Sequence, residues 1–220
     1  MEHSHPFPAQ VVLGRLFKVH SAFDDVLLDV LDRDRRGLVV LVAESQRQLT
    51  SLLVRRLRDA AGRRNLEAAV DTRVRFVDYW HYVNVIAAAR VVLDTHPYGG
   101  CLTALDALSN GVPLVVLPGP MERGRHAMSI YDQMNVTAFV ATDAADYVDI
   151  AVTLGTDDDA HARAVHEIRA RCAPGRIQLP KGRPARPIAP PARRYEDAHR
   201  AEAVAREWAD AFLRMERSAI

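Results

Sequence analysis

The chain has 220 residues, 29 basic against 28 acidic for a formal charge of +1, and nearly half of it is apolar. That balance excludes whole-molecule attraction to nucleic acid or to an anionic membrane, and it supplies enough apolar material for one large domain or two small ones. Two cysteines in no metal-ligand spacing suit a reducing compartment, and the start, MEHSHPFPAQ, lacks a basic region followed by an apolar core, so a cytoplasmic protein is expected.

Apolar runs alternate with helical patterns. QVVLG (10–14) is a short strand. Ser21 then precedes AFDDVLLDVL, in which Phe23, Val26, Leu27, Val30 and Leu31 share one helical face and Asp24 and Asp25 suit the positive N-terminus. GLVVLVA (37–43) reads as a strand buried on both faces. Leu49, Leu52, Leu53 and Leu57 mark a helix ending near Gly62, and TRVRFVD (72–78) is a third strand. In the second half, 82–89 reads as a short helix, 90–95 as a strand and 102–111 as a helix closed by Gly111. The next strand is expected over 112–119, then a helix with Ala127, Ile130, Tyr131 and Met134 on its inner face, then a strand over 136–141. A last helix carries Tyr147, Ile150, Ala151 and Leu154 and is expected to stop at Gly155. Strands separated by helices at these spacings predict a doubly wound, mostly parallel α/β sheet, a Rossmann-like lobe over 10–172.

After residue 172 the composition changes. Residues 173–194 hold six of the twelve prolines and no acidic residue, which reads as a connector. Over 195–217, Val204, Trp208, Ala211, Phe212 and Met215 form the apolar stripe of a closing amphipathic helix.

Chemistry is expected where a strand passes through glycines into a helix. In LDTHPYGGCLTALDAL (93–108), Asp94 ends the strand, Gly99 and Gly100 permit close backbone approach, and the amides of Cys101, Leu102 and Thr103 would face a phosphate, with the Thr103 hydroxyl as an extra donor. Asp106, one turn on, would accept from a sugar hydroxyl. A purely structural turn is the alternative at this stage. A metal reading of Asp32-Arg33-Asp34 is set aside because the motif ends a helix rather than a strand, and no histidine pair has zinc spacing.

The run from Leu93 to Met134, LDTHPYGGCLTALDALSNGVPLVVLPGPMERGRHAMSIYDQM, resembles the nucleotide-binding segment of the protein O-GlcNAc transferase and SPINDLY family of glycosyltransferases. LFKVHSAFDDVLLDVL, DYWHYVNVIAAARVVLDT and DYVDIAVTLGTD are similar to its flanking segments, in order and at family-like spacing. The resemblance implies the C-terminal lobe of a two-lobed GT-B fold that binds a nucleotide sugar, UDP-GlcNAc in this family, without a metal, and transfers GlcNAc to serine or threonine of a protein acceptor. It implies that Lys18 contacts the diphosphate and stabilises the leaving group, that Tyr82 stands against the base, that Val77 offers backbone contacts to the base edge, and that Asp106 lies near the ribose. The chain departs from the family pattern at Arg15, where glutamine is common, and at Cys101-Leu102-Thr103, where histidine and threonines are common. With no 34-residue helical repeat in the sequence, a separate N-terminal lobe or repeat-containing chain is an expected partner. Two alternatives stay open: a truncated or degenerate homologue that binds a nucleotide or a partner without turnover, and a GT-B fragment with another hexose or fucose donor.

Overall fold

A computed structural model describes residues 9–43, 47–78 and 82–172. The expected connector and closing helix lie outside the described residues. Five strands, β1 (Ala9–Leu13), β2 (Leu38–Ala43), β3 (Val74–Asp78), β4 (Val91–Asp94) and β5 (Leu114–Val115), form one sheet in the order β3-β2-β1-β4-β5, with every pair parallel. Helices α1 (Asp24–Arg33), α2 (Arg47–Gly62), α3 (Glu67–Arg73) and α7 (Ala144–Thr156) pack together, and α4 (Tyr82–Ala88), α5 (Leu102–Ser109) and α6 (His126–Met134) pack in a second group. Helix α8 (Asp158–Arg171) touches α5 and α7. The doubly wound expectation therefore holds.

Burial explains the strand compositions. In β4 all four residues are buried and in β2 the first five are, because central parallel strands are covered on both faces and must be apolar throughout. The edge strand β3 is only half buried, and Arg75 is accommodated on it.

Several expectations need correction. Residues 72 and 73 belong to α3 rather than to a strand; α3 shows no apolar stripe long enough to announce it, since Val70 is its one buried residue. Arg73 instead ends the preceding layer, donating to the carbonyls of Leu31 (2.6 Å) and Asp34 (2.7 Å) at the end of α1. The strand expected over 112–119 contracts to two ladder residues, and that over 136–141 to a parallel bridge between Val116 and Val140. Pro113 and Pro118 bracket the first, and proline cannot donate to a ladder. Gly155 does not stop α7, which continues to Thr156; any Cβ there would meet Gln10 Nε2 at 2.9 Å, so it serves close packing.

The bridge at Val116 and Val140 sits beyond β5 and extends the strand order in the manner of a six-stranded dinucleotide-binding fold. Where that sixth strand fails to reach, Tyr131 substitutes. Its fully buried hydroxyl donates to the Leu114 carbonyl (2.8 Å) and accepts from the Leu114 amide (3.1 Å), completing the outer edge of β5. Tyr131→Phe leaves both backbone groups unpaired in the core, and chemical denaturation should show a loss of about 1–3 kcal/mol with an unchanged m-value.

Candidate functional site

In an open parallel sheet, ligands bind beyond the carboxyl ends of the strands where chain direction reverses across the sheet. Here the reversal falls between β1 and β4, whose register pairs Leu13 with Asp94. The chain leaving β1 turns at Gly14 into a single 3-10 turn, Leu16–Lys18; the chain leaving β4 runs through Thr95 to the Gly99–Gly100 turn and α5. Both segments meet above this point.

Two long-range contacts hold the Lys18 turn there. Val19 forms an antiparallel bridge with Pro97, directly joining the two loops. Arg56 of α2 donates to the Val19 carbonyl (2.7 Å) and pairs with both oxygens of Asp24 (2.6 and 2.8 Å). Asp24 stands in the first turn of α1 as expected, together with Asp25, and there it is also the partner of Arg56; it is buried, and burial outweighs the Arg56 guanidinium to leave its carboxyl raised. The result is a fixed lysine. Lys18 Nζ donates to the Gly99 carbonyl at 3.1 Å and lies 4.3 Å from the centre of the Tyr98 ring, a cation–π geometry.

The glycine turn is close-packed. Asp94 Oδ1 accepts from the Gly100 amide (2.6 Å), and Cβ atoms added to Gly99 or Gly100 would overlap the Asp94 carboxylate or the Thr103 hydroxyl. Thr95 Oγ1 donates to the Tyr98 carbonyl (2.6 Å), and the Gly99 amide donates to the Arg123 carbonyl (3.1 Å). Cys101 occupies the N-cap of α5 without a side-chain cap; its carbonyl takes the first helical bond, from Leu105 (3.1 Å). The amides of Leu102 and Thr103 are therefore among those a helix leaves without internal partners.

The other expected residues sort into three places. Arg15 is exposed and precedes the Lys18 turn directly, at its N-cap. Tyr82 of α4 donates its hydroxyl to Asp106 of α5, so these two meet each other. Val77 stands apart: it is buried near the end of β3, paired with Val42, and β2 and β1 separate it from β4, roughly 14 Å away at ordinary strand spacing. Only a ligand longer than a phosphate spans from the glycine turn to Val77.

Sequence reasoning missed Tyr98, Arg56, Arg123 and the pair Gly119 and Gly124 as parts of this structure. Tyr98 and Gly124 do stand in motif-bearing runs, but Arg56 acts through a partner 37 positions away and carries no local signal. Phe17, Leu102 and Met121, three of the large apolar side chains most open to solvent, lie on the segments that surround the turn. Among the described residues, no cluster of three or more His, Cys, Asp or Glu is placed to hold a metal ion, and no helix is long and apolar enough to cross a membrane.

Residues 80–179 match the model of glycosyl transferase family 41. A UDP-N-acetylglucosamine–peptide N-acetylglucosaminyltransferase of Caenorhabditis elegans is 41% identical over 71 residues, 32% of this chain and 6% of that protein. A probable SPINDLY enzyme of the same activity from Petunia hybrida is 31% identical over 67 residues, 30% of this chain and 7% of that one. Among solved structures, a mutant O-GlcNAc transferase of Thermobaculum terrenum superposes with a TM-score of 0.67 at 25% identity over 97% of this chain, which spans 37% of that one. TarM superposes with a TM-score of 0.56 at 14% identity over 96% of this chain, a likeness of fold alone. The chain thus spans a small fraction of the curated relatives it matches and little more than a third of the solved transferase.

Proposed function

We propose that this O-GlcNAc transferase-like glycosyltransferase C-terminal region is the lobe that binds the nucleotide sugar, UDP-GlcNAc, for transfer of GlcNAc to serine or threonine of a protein. The observation that carries the reading is the Lys18 ammonium held over the Gly99–Gly100 turn at the switch point of the sheet. Glycosyl transfer expels a nucleoside diphosphate, and a cation with convergent backbone amides at that position stabilises the charge that develops on it. Arg15 would add a second cation at the same mouth, and Cys101, Leu102 and Thr103 their amides. Tyr82 and Asp106 would receive the nucleoside, the ring by stacking and the carboxylate through a ribose hydroxyl. Val77 lies at the reach of the base. The lobe from 10 to 172 would work with a separate N-terminal lobe or repeat-bearing chain that brings the acceptor.

A second reading, nucleotide binding without turnover, is favoured by one observation. Leu102 is 66% exposed at a position where the resembling family commonly supplies a hydroxyl. Calorimetric titration of UDP-GlcNAc, UDP and GDP into the whole chain tests the proposal. Binding of the uridine ligands in preference to GDP is expected; no binding by any of the three overturns it, and GDP preference redirects it to another donor. Donor hydrolysis or sugar transfer by the chain alone would remove the second reading.

A further inference from the structure

We propose that Asp94 is the positioning residue of the phosphate loop, and that filling the site with a nucleotide sugar moves one proton from solvent onto its carboxylate. The inference deepens the donor-binding reading and rests on it. Asp94 is 4% exposed and makes three connections at once. Oδ1 accepts the Gly100 amide at 2.6 Å, Oδ2 fills the space against the Gly99 Cα, and its backbone carbonyl accepts the Tyr147 hydroxyl at 2.9 Å. The loop therefore sits on this carboxylate.

Among the described residues, three charged or titratable side chains act on Asp94. Lys18 approaches from the turn after β1, Tyr147 from α7 and Tyr131 from α6; burial pushes both phenols well up, so they stay neutral and Lys18 is the cation that balances the carboxylate. Burial prevails even so, lifting the Asp94 carboxyl to about 7 against the opposing pull of the Gly100 hydrogen bond and of Lys18. A diphosphate diester adds negative charge on the far side of the same turn and draws the Lys18 ammonium toward itself. Both changes favour the protonated carboxyl. Oδ2 takes the proton while Oδ1 keeps the Gly100 amide, so the loop stays anchored in the loaded state.

A ligand that raises a group's proton affinity binds more tightly as pH falls. Affinity for UDP-GlcNAc should therefore drop by up to about fivefold between pH 7 and pH 8. The donor's own diphosphate is a diester and lacks the second phosphate ionisation, so the protons counted belong to the protein. Titration of UDP-GlcNAc into the whole chain at pH 7.5, in two buffers of different ionisation enthalpy, should show uptake of about half to three quarters of a proton per nucleotide. Asp94→Asn, which retains a carbonyl oxygen for Gly100, should bind with no uptake and a flat pH profile, whereas Asp94→Ala should lose affinity at every pH. Equal uptake in wild type and Asp94→Asn, or none in wild type, overturns the proposal.

A second measurement needs neither ligand nor variant. The Gly100 amide resonance of the free chain should titrate with a midpoint of about 7. An unmoving Gly100 resonance overturns the anchoring role. A chain that binds no nucleotide but shows the Gly100 titration instead defeats the donor reading, and proton uptake with it, while leaving the anchor established.

Discussion

Lys18→Gln is expected to weaken UDP binding by about 10- to 150-fold, the range for losing a charged hydrogen-bond donor to phosphate, while leaving the chain folded. The side chain is half-buried, and its described partners are the Gly99 carbonyl and the Tyr98 ring. Glutamine is one bond shorter but keeps an N–H donor and most of the aliphatic stem, so the substitution removes chiefly the positive charge and, with it, the cation–π contact to Tyr98. The turn itself is held by others: the Val19–Pro97 bridge and the Arg56 bond to Val19 do not involve the ammonium. Stability should fall by no more than about 1–2 kcal/mol, the share of the cation–π contact and of the positive charge that faces the buried Asp94 carboxylate. Salt dependence separates charge from geometry. The wild-type affinity should fall with ionic strength more steeply than the variant's, because one cation–phosphate contact is screened in the first case and absent in the second. An affinity unchanged within twofold, with an unchanged salt slope, would show that Lys18 does not meet the phosphates.

How much of this site the sequence discloses depends on whether a residue acts locally. Gly99, Gly100 and Thr103 stand out because a strand-turn-helix junction needs those residue types at fixed offsets, whatever surrounds them, whereas Lys18 stands out only through the family resemblance. Asp94 is legible only as a strand end. Its importance arises from Gly100 six positions on and from Lys18 far upstream, a relation created by packing β1 beside β4. Arg56 is less legible still: on its own helix it is one arginine among several, and only the structure joins it to Asp24 and Val19. The sheet shows the same division. Central strands β2 and β4 announce themselves as continuous apolar runs, whereas β5 is short because prolines flank it and Tyr131 completes its edge from a helix. Helix α3 escapes because it buries too few side chains to create a period.

Gly124→Ala should lower stability by about 1–3 kcal/mol, the usual range for overpacking a site that cannot move. In a chain of this size that is roughly 2–12 °C in Tm. Gly119 and Gly124 face each other, the Gly119 amide donating to the Gly124 carbonyl at 2.9 Å. A Cβ on Gly124 would run into the Pro97 carbonyl oxygen and lie 2.9 Å from the Gly119 Cα. These are backbone atoms, and neither can swing aside as a side chain would. Pro97 is also tied to Val19 by the inter-loop bridge, and Arg123 beside Gly124 holds the Gly99 amide through its carbonyl. Relief of the clash must therefore displace the glycine turn or the Lys18 turn, and nucleotide affinity should fall together with stability. Gly62→Ala supplies the contrast. Its Cβ would meet only the carboxylate end of the exposed Glu67 side chain, at 3.2 Å at the end of α2, and alanine there should be neutral or stabilising by up to about 1 kcal/mol. Thermal melts of the two variants with and without UDP decide the matter. A Gly124→Ala chain as stable as Gly62→Ala, with unchanged affinity, would mean that the Pro97 contact does not position the phosphate loop.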